Sequence, residues 1–205
     1  MFVKICGITR LSDALHAAAH GANALGFVFW AQSPRCISPE RAAHIIAALP
    51  AEVTAVGVFV NESVDGIRAV VAQTGISAIQ LHGDEAPAYA DALGWPVLRA
   101  ITVDQAERAA ATWPSETTFL VDAGDPVRRG GTGLHVDWQQ AASVARGRRI
   151  VLAGGLTPDN VAGAIDTVRP FGVDVSSGVE DAPGLKNSDK VARFLASARS
   201  AFDSR

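Results

Sequence analysis

The hydrophobic pattern of this chain alternates between two kinds of segment. Short, nearly continuous apolar runs are each followed by a longer stretch in which apolar residues recur at helical spacing. Continuous apolar runs are typical of parallel strands that are buried on both faces. The predicted strands are residues 2–6, 24–29, 54–60, 77–81, 96–101, 118–121, 150–153 and 173–175.

The predicted helices fill the intervals between these strands. Ser38 is a suitable N-cap, and Pro39 then stands at the first position of a helix that runs to about residue 49. Thr157, Pro158 and Asp159 follow a glycine turn and are expected to open another helix. The remaining helices are predicted over residues 11–18, 64–74, 87–93, 104–112, 137–146 and 189–201.

Eight strand–helix units in strict alternation predict an α/β protein with a parallel sheet and crossover helices. Eight units favour a closed barrel over an open doubly wound sheet, which commonly has fewer strands. The length of 205 residues is near the short end of the range for such barrels and suits one domain. We therefore expect a single (β/α)8 TIM barrel that covers residues 1–205.

Composition and charge narrow the range of partners. The formal net charge is −3 with no long run of one sign, which argues against a nucleic-acid surface. The N-terminus lacks the apolar core of a signal peptide, and no apolar run approaches membrane-spanning length, so we expect a cytoplasmic protein without a membrane partner. Cys6 and Cys36 are far apart and form no CxxC, which disfavours a structural zinc site or a disulfide.

Two turns of small residues follow the last two predicted strands. Glycine lets backbone N–H groups approach a ligand closely, and a helix N-terminus adds free donors and partial positive charge. One such turn is weak evidence, but two in succession match the phosphate site of many (β/α)8 barrels. The predicted phosphate-binding residues are Gly154, Gly155, Ser176, Ser177 and Gly178.

The C-terminal ends of barrel strands are where barrel enzymes place their chemistry. In this chain those ends hold Cys6, Arg35, His82 and Asp122. Because side chains alternate along a strand, Cys6 faces the barrel interior together with Lys4 if their neighbours face the helices. The same alternation turns Asp122 inward, so a thiol and a carboxyl group are predicted to point into one barrel mouth.

Each of these residues also has an ordinary structural interpretation. A lone cysteine such as Cys6 is most often a small buried hydrophobe, and Asp122 could serve as an N-cap or turn residue. Arg35 could be a solvated loop charge, and His82 a structural histidine with satisfied hydrogen bonds. Their joint position at strand ends is what favours an active site.

A set of motifs occurs in order over nearly the whole chain: KICGIT (4–9), GFVF (26–29), SPR (33–35), VGVF (56–59), QLHG (80–83), VDA (121–123), GGTG (130–133), DW (137–138), LAGGLTPDNV (152–161) and DVSSGVE (174–180). This ordered set resembles the phosphoribosylanthranilate isomerase family. Asn187 stands where that family often has an acidic residue, which puts the support of the last loop in question, and Cys36 stands where an aromatic residue often follows SPR.

The resemblance implies an Amadori rearrangement in tryptophan biosynthesis, from N-(5-phosphoribosyl)anthranilate to 1-(2-carboxyphenylamino)-1-deoxyribulose 5-phosphate. Asp122 would be the general acid that protonates the furanose oxygen, and Cys6 the general base that removes the C2 proton. Arg35 would hold the anthranilate carboxylate, and His82 would also contact substrate. Cys6 then needs a lowered pKa, for which Lys4 is a candidate, and Asp122 a raised one. No step needs a metal or cofactor.

Two other functions remain as alternatives. The related isomerase of histidine biosynthesis resembles a two-fold repeat with a phosphate loop in each half and an aspartate as base, whereas here the first half has no matching loop and Cys6 takes the base position. A non-catalytic phosphosugar-binding barrel would need neither Cys6 nor Asp122.

The glycine-rich residues 124–133 are predicted to close over the substrate, a small phosphorylated aminoaldose. The chain is expected to be a monomer, with a homodimer as the alternative.

Overall fold

Eight parallel strands close into a barrel in the computed structural model, which describes residues 1–124 and 136–205. Each strand pairs with its neighbour in sequence, and the last pairs with the first, Lys4 lying beside Asp174 in register. The strands are β1 Phe2–Cys6, β2 Ala24–Val28, β3 Thr54–Phe59, β4 Ala78–Leu81, β5 Val97–Ile101, β6 Thr118–Val121, β7 Ile150–Leu152 and β8 Gly172–Val175. The predicted (β/α)8 TIM barrel is confirmed.

Helices follow the strands and cover the outside of the barrel. They are α1 Leu11–Ala19, α2 Pro39–Ile46, α3 Val64–Thr74, α4 Ala88–Leu93, α5 Ala106–Thr112, α6 Trp138–Gly147, α7 Val161–Val168 and α8 Ser188–Asp203, with short 3-10 turns at Val103–Gln105 and Ser177–Val179. Ser38 caps α2 as predicted, because its side chain accepts the Arg41 N–H. None of the helices in residues 1–124 and 136–205 is long and apolar enough to cross a membrane.

The start of α7 differs from the sequence prediction. The helix begins at Val161, because Asn160 holds the preceding residues in a turn. Its side-chain oxygen accepts the Thr157 N–H at 2.7 Å, and its amide nitrogen donates to the Gly155 carbonyl at 2.9 Å. This turn keeps the backbone after β7 out of the helix and available to the barrel rim.

Side-chain alternation along β1 and β6 follows the predicted pattern. Val3 and Ile5 pack in the large cluster that joins strands to helices, whereas Cys6 belongs to a separate small cluster with Val28 and Val58. On β6, Leu120 lies in an interior cluster, while the residues on either side of it belong to the outer cluster. The barrel interior is therefore a second hydrophobic core, and Cys6 lies at the end of this core where the strands have their C-termini.

A short antiparallel hairpin after β8 was not predicted from the sequence. Its strands are β9 Glu180–Ala182 and β10 Leu185–Lys186. Thr9 donates to the Gly184 carbonyl at 2.6 Å, and the Lys186 N–H donates to Asp13 at 3.1 Å, so the hairpin is tied to the segment after β1. Apart from Gly124, the predicted lid at 124–133 lies outside the described residues.

Candidate active site

The predicted site residues lie at one rim of the barrel, where the strands end. Cys6 is the last residue of β1, His82 and Asp122 directly follow β4 and β6, and Arg35 lies in the connection after β2. Cys6, Arg35 and Asp122 are each less than one tenth exposed, at 8%, 8% and 9%. None of the three is therefore a solvated surface group.

His82 and Asp122 share the wall of a cavity of about 420 Å³. The His82 Nε2 and Asp122 Oδ2 atoms are 3.7 Å apart. Ile101, Thr102 and Gly124 contribute to the same wall. A cavity of this size is in the range that holds a small molecule, with the carboxyl group on its surface.

Burial sets the protonation of both groups in this cavity. It raises the pKa of Asp122, although the Ala123 N–H, which donates to the carboxylate at 2.8 Å, and the Lys4 charge oppose the rise. Burial also lowers the pKa of His82 to about 4, so the imidazole is neutral at neutral pH. Its Nδ1 atom lies 2.9 Å from the amide nitrogen of Gln80. Asp122 is thus biased toward its protonated form, as a general acid requires.

Cys6 lies beside a fully buried ammonium group. A Cβ atom at Gly26 would come within 2.8 Å of the Cys6 sulfur and 3.1 Å of the Lys4 nitrogen, so both atoms border the same small space. Burial raises the pKa of Cys6, and the Lys4 charge acts in the opposite direction without overcoming it. The lowered pKa that a thiolate base needs is therefore not reached through Lys4 alone, because desolvation of the sulfur outweighs the neighbouring charge.

Lys4 is held by Asp174 on the adjacent strand β8. The Lys4 nitrogen donates to Asp174 Oδ1 at 2.9 Å, and the Lys4 side chain is 0% exposed. Burial acts to lower the pKa of Lys4, but the charges of Asp174 and Cys6 outweigh it, and the net pKa lies above the usual value. The raised pKa favours the protonated, positively charged form of Lys4 inside the barrel.

Arg35 has a partner that the sequence did not reveal. Its Nε and one terminal nitrogen bind the Glu180 carboxylate at 2.9 and 2.7 Å. The same carboxylate accepts the Lys186 ammonium at 2.7 Å. Burial favours the neutral form of Glu180, but these two cations outweigh it and lower its pKa. Arg35 is thus part of a buried three-residue ion network that joins the second connection to the hairpin.

The two predicted phosphate loops meet at the rim. Gly154 and Gly155 have left-handed φ values of 77° and 68°, which favour glycine. A Cβ atom at Gly178 would overlap the Leu156 carbonyl oxygen, so the loop after β8 packs directly on the loop after β7. Across the described residues no acceptor faces the Gly155 N–H, and the 3-10 turn that begins at Ser177 adds free N–H groups.

Ser176 differs from the other members of the predicted phosphate set. Its hydroxyl is buried without a hydrogen-bond partner among the described residues. It would lie 3.1 Å from a Cβ atom placed on Gly7, next to the Arg35 side chain. The hydroxyl therefore lies close to the Arg35 side chain.

A second ion network fixes the segment that carries His82. Arg99 donates to Glu85 at 2.6 Å and to the Gly83 carbonyl at 2.9 Å. Glu85 also accepts the N–H groups of Gly83 and Asn61 at 2.9 and 2.7 Å. The sequence signal for this network was a charged residue inside the apolar strand VLRAI, and the same signal marks Asp174 within VDV.

Asn187 does not weaken the last loop. Its side-chain oxygen caps α8 by accepting the Lys190 N–H at 2.9 Å, which a carboxylate at this position would also do. Its amide nitrogen donates to Asp181 at 2.9 Å, a contact that only the amide can make. Cys36 is exposed on the surface.

The closed barrel and the reactive side chains at its C-terminal rim define a (β/α)8-barrel enzyme. A sequence model of the family described as N-(5'phosphoribosyl)anthranilate (PRA) isomerase matches residues 3–197. The chain belongs to this family, and it is an isomerase.

Individual relatives agree over almost the full length. The N-(5'-phosphoribosyl)anthranilate isomerase of Citrifermentans bemidjiense is 50% identical over 198 residues, which are 96% of each chain. The crystal structure of the Thermotoga maritima enzyme is 43% identical with a TM-score of 0.90, over 98% of this chain and 99% of that one. A crystal structure of the isomerase in complex with reduced 1-(o-carboxyphenylamino)-1-deoxyribulose 5-phosphate is 42% identical with a TM-score of 0.87, over the same shares. The resemblance inferred from the motifs is confirmed.

Proposed function

We propose that this chain converts N-(5-phosphoribosyl)anthranilate to 1-(2-carboxyphenylamino)-1-deoxyribulose 5-phosphate in tryptophan biosynthesis, with Asp122 as general acid and Cys6 as general base. The observation that carries the proposal is one barrel rim with a carboxyl biased toward its protonated form and a thiol beside a buried ammonium. The two predicted phosphate loops, which follow β7 and β8, lie at the same rim.

The substrate phosphate binds to backbone N–H groups of the two packed loops. Gly155 and the start of the turn at Ser177 supply free donors, and neither the 153–159 nor the 176–180 segment contains lysine or arginine. Backbone donors and the partial positive charge of a turn N-terminus suit an anion. The ligand in the solved relative likewise carries a 5-phosphate.

Ring opening uses the proton on Asp122. The carboxyl group donates it to the furanose oxygen as the C1–O bond breaks, and the anilino nitrogen, which keeps its own proton, supplies the electron pair that forms the iminium. The neighbouring His82 is neutral, so it does not stabilise the ionised carboxylate as an imidazolium would. The raised pKa of Asp122 favours a carboxyl group that can donate a proton when substrate arrives.

Cys6 completes the isomerisation. The iminium acidifies the C2 proton, and the Cys6 thiolate removes it to leave an enolamine. Proton transfer to C1 and loss of the C2 hydroxyl proton then produce the ketone and return both groups to their starting states. No proton is gained or lost overall, as an isomerisation requires.

Arg35 is proposed to bind the anthranilate carboxylate through the part of its guanidinium that Glu180 does not occupy. Glu180 takes Nε and one terminal nitrogen, which leaves the other terminal nitrogen to face substrate. His82 is proposed as a substrate contact on the opposite side of the rim, next to Asp122.

Turnover assays with the two aminoaldose substrates test the proposal. The phosphoribosylanthranilate substrate should be converted, and the two-phosphate substrate of the histidine-pathway isomerase should be converted far more slowly. Faster conversion of the second substrate would favour the histidine-pathway alternative, and binding without turnover would favour a phosphosugar-binding barrel.

We also propose one catalytic domain over residues 1–205 and a cytoplasmic location. We propose a monomer, with a homodimer as the alternative; the Thermotoga maritima relative is described as dimeric.

Replacing Gly155 with valine should raise KM for the phosphorylated substrate, because a branched side chain at a φ of 68° displaces the loop and blocks close approach of the phosphate. Steady-state kinetics measure the effect. Gly94→Val is the matched control: Gly94 has a φ of 75°, nothing lies within 4 Å of its Cβ position, and it follows α4. Equal KM values in the two variants would contradict the phosphate placement.

Arg35→Ala should raise KM by about tenfold or more, since a charge-assisted contact contributes about 1.5–3 kcal/mol. It should also lower Tm, because Glu180 loses one of its two buried cationic partners. Inhibition by inorganic phosphate should be unchanged, and the surface variant Arg68→Ala is the control. Parallel weakening of phosphate inhibition would assign Arg35 to the phosphate loops instead.

A further inference from the structure

The buried Lys4–Asp174 pair is unusual for its surroundings. Its neighbours inside the barrel are small apolar clusters such as Ala24, Val56 and Ala78, yet Lys4 is fully buried and Asp174 is only 7% exposed. Buried ion pairs are costly to desolvate, and apolar residues of similar volume are often as stabilising or more so. The pair therefore calls for an explanation other than stability.

The position of the pair relative to Cys6 supplies one. Lys4 and Cys6 lie on the same face of β1, opposite Ala24 and Gly26 of β2. A Cβ atom at Gly26 would clash with the sulfur at 2.8 Å and crowd the ammonium nitrogen at 3.1 Å. Glycine at this position thus leaves open the small space through which the two groups face each other.

We propose that Lys4 is a positioning residue for Cys6: its ammonium, fixed by Asp174, stabilises the thiolate, and Gly26 keeps the contact open. The inference rests on the proposed function, in which the Cys6 thiolate removes a proton from carbon. Lys4 itself neither gives nor takes a proton, and the Cys6 proton leaves to solvent when the thiolate forms.

The charged groups that act on the sulfur determine what removal of Lys4 should do. Lys4 and Lys186 favour the thiolate, whereas burial and Asp174 oppose it. Both ammonium groups are paired with a carboxylate, and Lys4 is the stronger of the two cations because it adjoins the sulfur. Without Lys4, burial would keep Cys6 protonated to higher pH.

The test is the rate at which a small uncharged thiol reagent, methyl methanethiosulfonate, modifies Cys6 in a Cys36→Ser background. The rate follows the thiolate fraction. Lys4→Met should slow the reaction about tenfold or more at neutral pH, because a neighbouring opposite charge shifts a pKa by about one to three pH units. A merely loosened barrel would speed the reaction by admitting the reagent. Lys190→Met, a lysine on the outer surface of α8, is the matched control and should leave the rate unchanged.

The double variant Lys4→Met/Asp174→Leu removes both charges together and avoids an unpaired buried carboxylate. It should also react more slowly than the parent. In the wild-type protein, isotope-labelled lysine gives only three side-chain NMR signals, from Lys4, Lys186 and Lys190, and the Lys4 signal should shift most when Cys6 is modified.

Unchanged reaction rates in the folded variants, or a Lys4 signal that ignores modification of Cys6, would overturn the inference. None of these measurements uses turnover. A protein that failed to convert phosphoribosylanthranilate but showed the slowed reaction would therefore refute the proposed function and leave the Lys4–Cys6 coupling intact.

Discussion

Replacing Cys6 with serine should lower kcat/KM by about 10²–10⁴-fold, the usual contribution of a general base. Serine nearly preserves the shape of the side chain, but its hydroxyl is far less acidic than a thiol. Because Cys6 is only 8% exposed and packs against Val28 and Val58, the smaller oxygen should leave the fold intact. Steady-state kinetics and a thermal melt of the same preparation provide the measurement.

Cys36→Ser is the matched control for this variant. The substitution is chemically identical, but Cys36 is exposed on the surface, so kcat/KM and Tm should both stay at the parent values. A folded Cys6→Ser enzyme within a few-fold of the parent would show that the base is another group. Membership of the isomerase family would be unaffected by that result.

Asp122→Asn should cost a similar factor of about 10²–10⁴ in kcat/KM, because the amide has no proton to donate to the ring oxygen. The amide oxygen can still accept the Ala123 N–H that now binds the carboxylate at 2.8 Å, so the position of the side chain should be kept. Asp104→Asn removes an exposed carboxylate from the wall of the same cavity and should change kcat/KM little.

The pH profiles of these two variants assign the roles separately. The reactive form needs Cys6 as thiolate and Asp122 protonated, so the wild-type profile of kcat/KM should be bell-shaped, with apparent pKa values that belong to the coupled pair. Burial raises the pKa of both groups, so the Cys6 thiol should ionise at alkaline pH. In Asp122→Asn only Cys6 titrates, so activity should rise with pH and then level off.

The residual activity of Cys6→Ser should show the opposite slope. Only Asp122 titrates in that variant, and the rate should fall as its carboxyl loses the proton. An Asp122→Asn profile that still declined at alkaline pH would identify the general acid as another residue.

The fold was predictable because its signals are local. Each strand appears as a short apolar run, and each helix appears as apolar residues that recur at helical spacing. The barrel and the inward direction of the Cys6 side chain therefore follow from the sequence. The start of α7 was not predictable, because it depends on Asn160 folding back on Thr157 and Gly155. A competing side-chain hydrogen bond of this kind has no periodic signature.

The positions of the site residues were predictable from the sequence, but the side chains with which they form ion pairs were not. Cys6, Arg35, His82 and Asp122 were found because barrel chemistry occurs at strand ends. That Glu180 holds Arg35 depends on contact between residues 145 positions apart. The raised pKa of Cys6 depends on burial, which only the closed barrel produces. The sequence indicated the buried ion pairs in one way only, through Asp174 and Arg99, which are charged residues inside apolar strands.

The hairpin and strand that close the barrel also set when a newly made chain becomes active. Asp174 and Glu180 are translated long after Lys4 and Arg35, whose side chains they bind, and Lys186 in turn binds Glu180. A chain released before residue 172 would lack the last strand, and its thiol would face solvent rather than a fixed ammonium. A chain truncated before β8 should therefore have no isomerase activity, even though it still contains Cys6, Arg35 and Asp122.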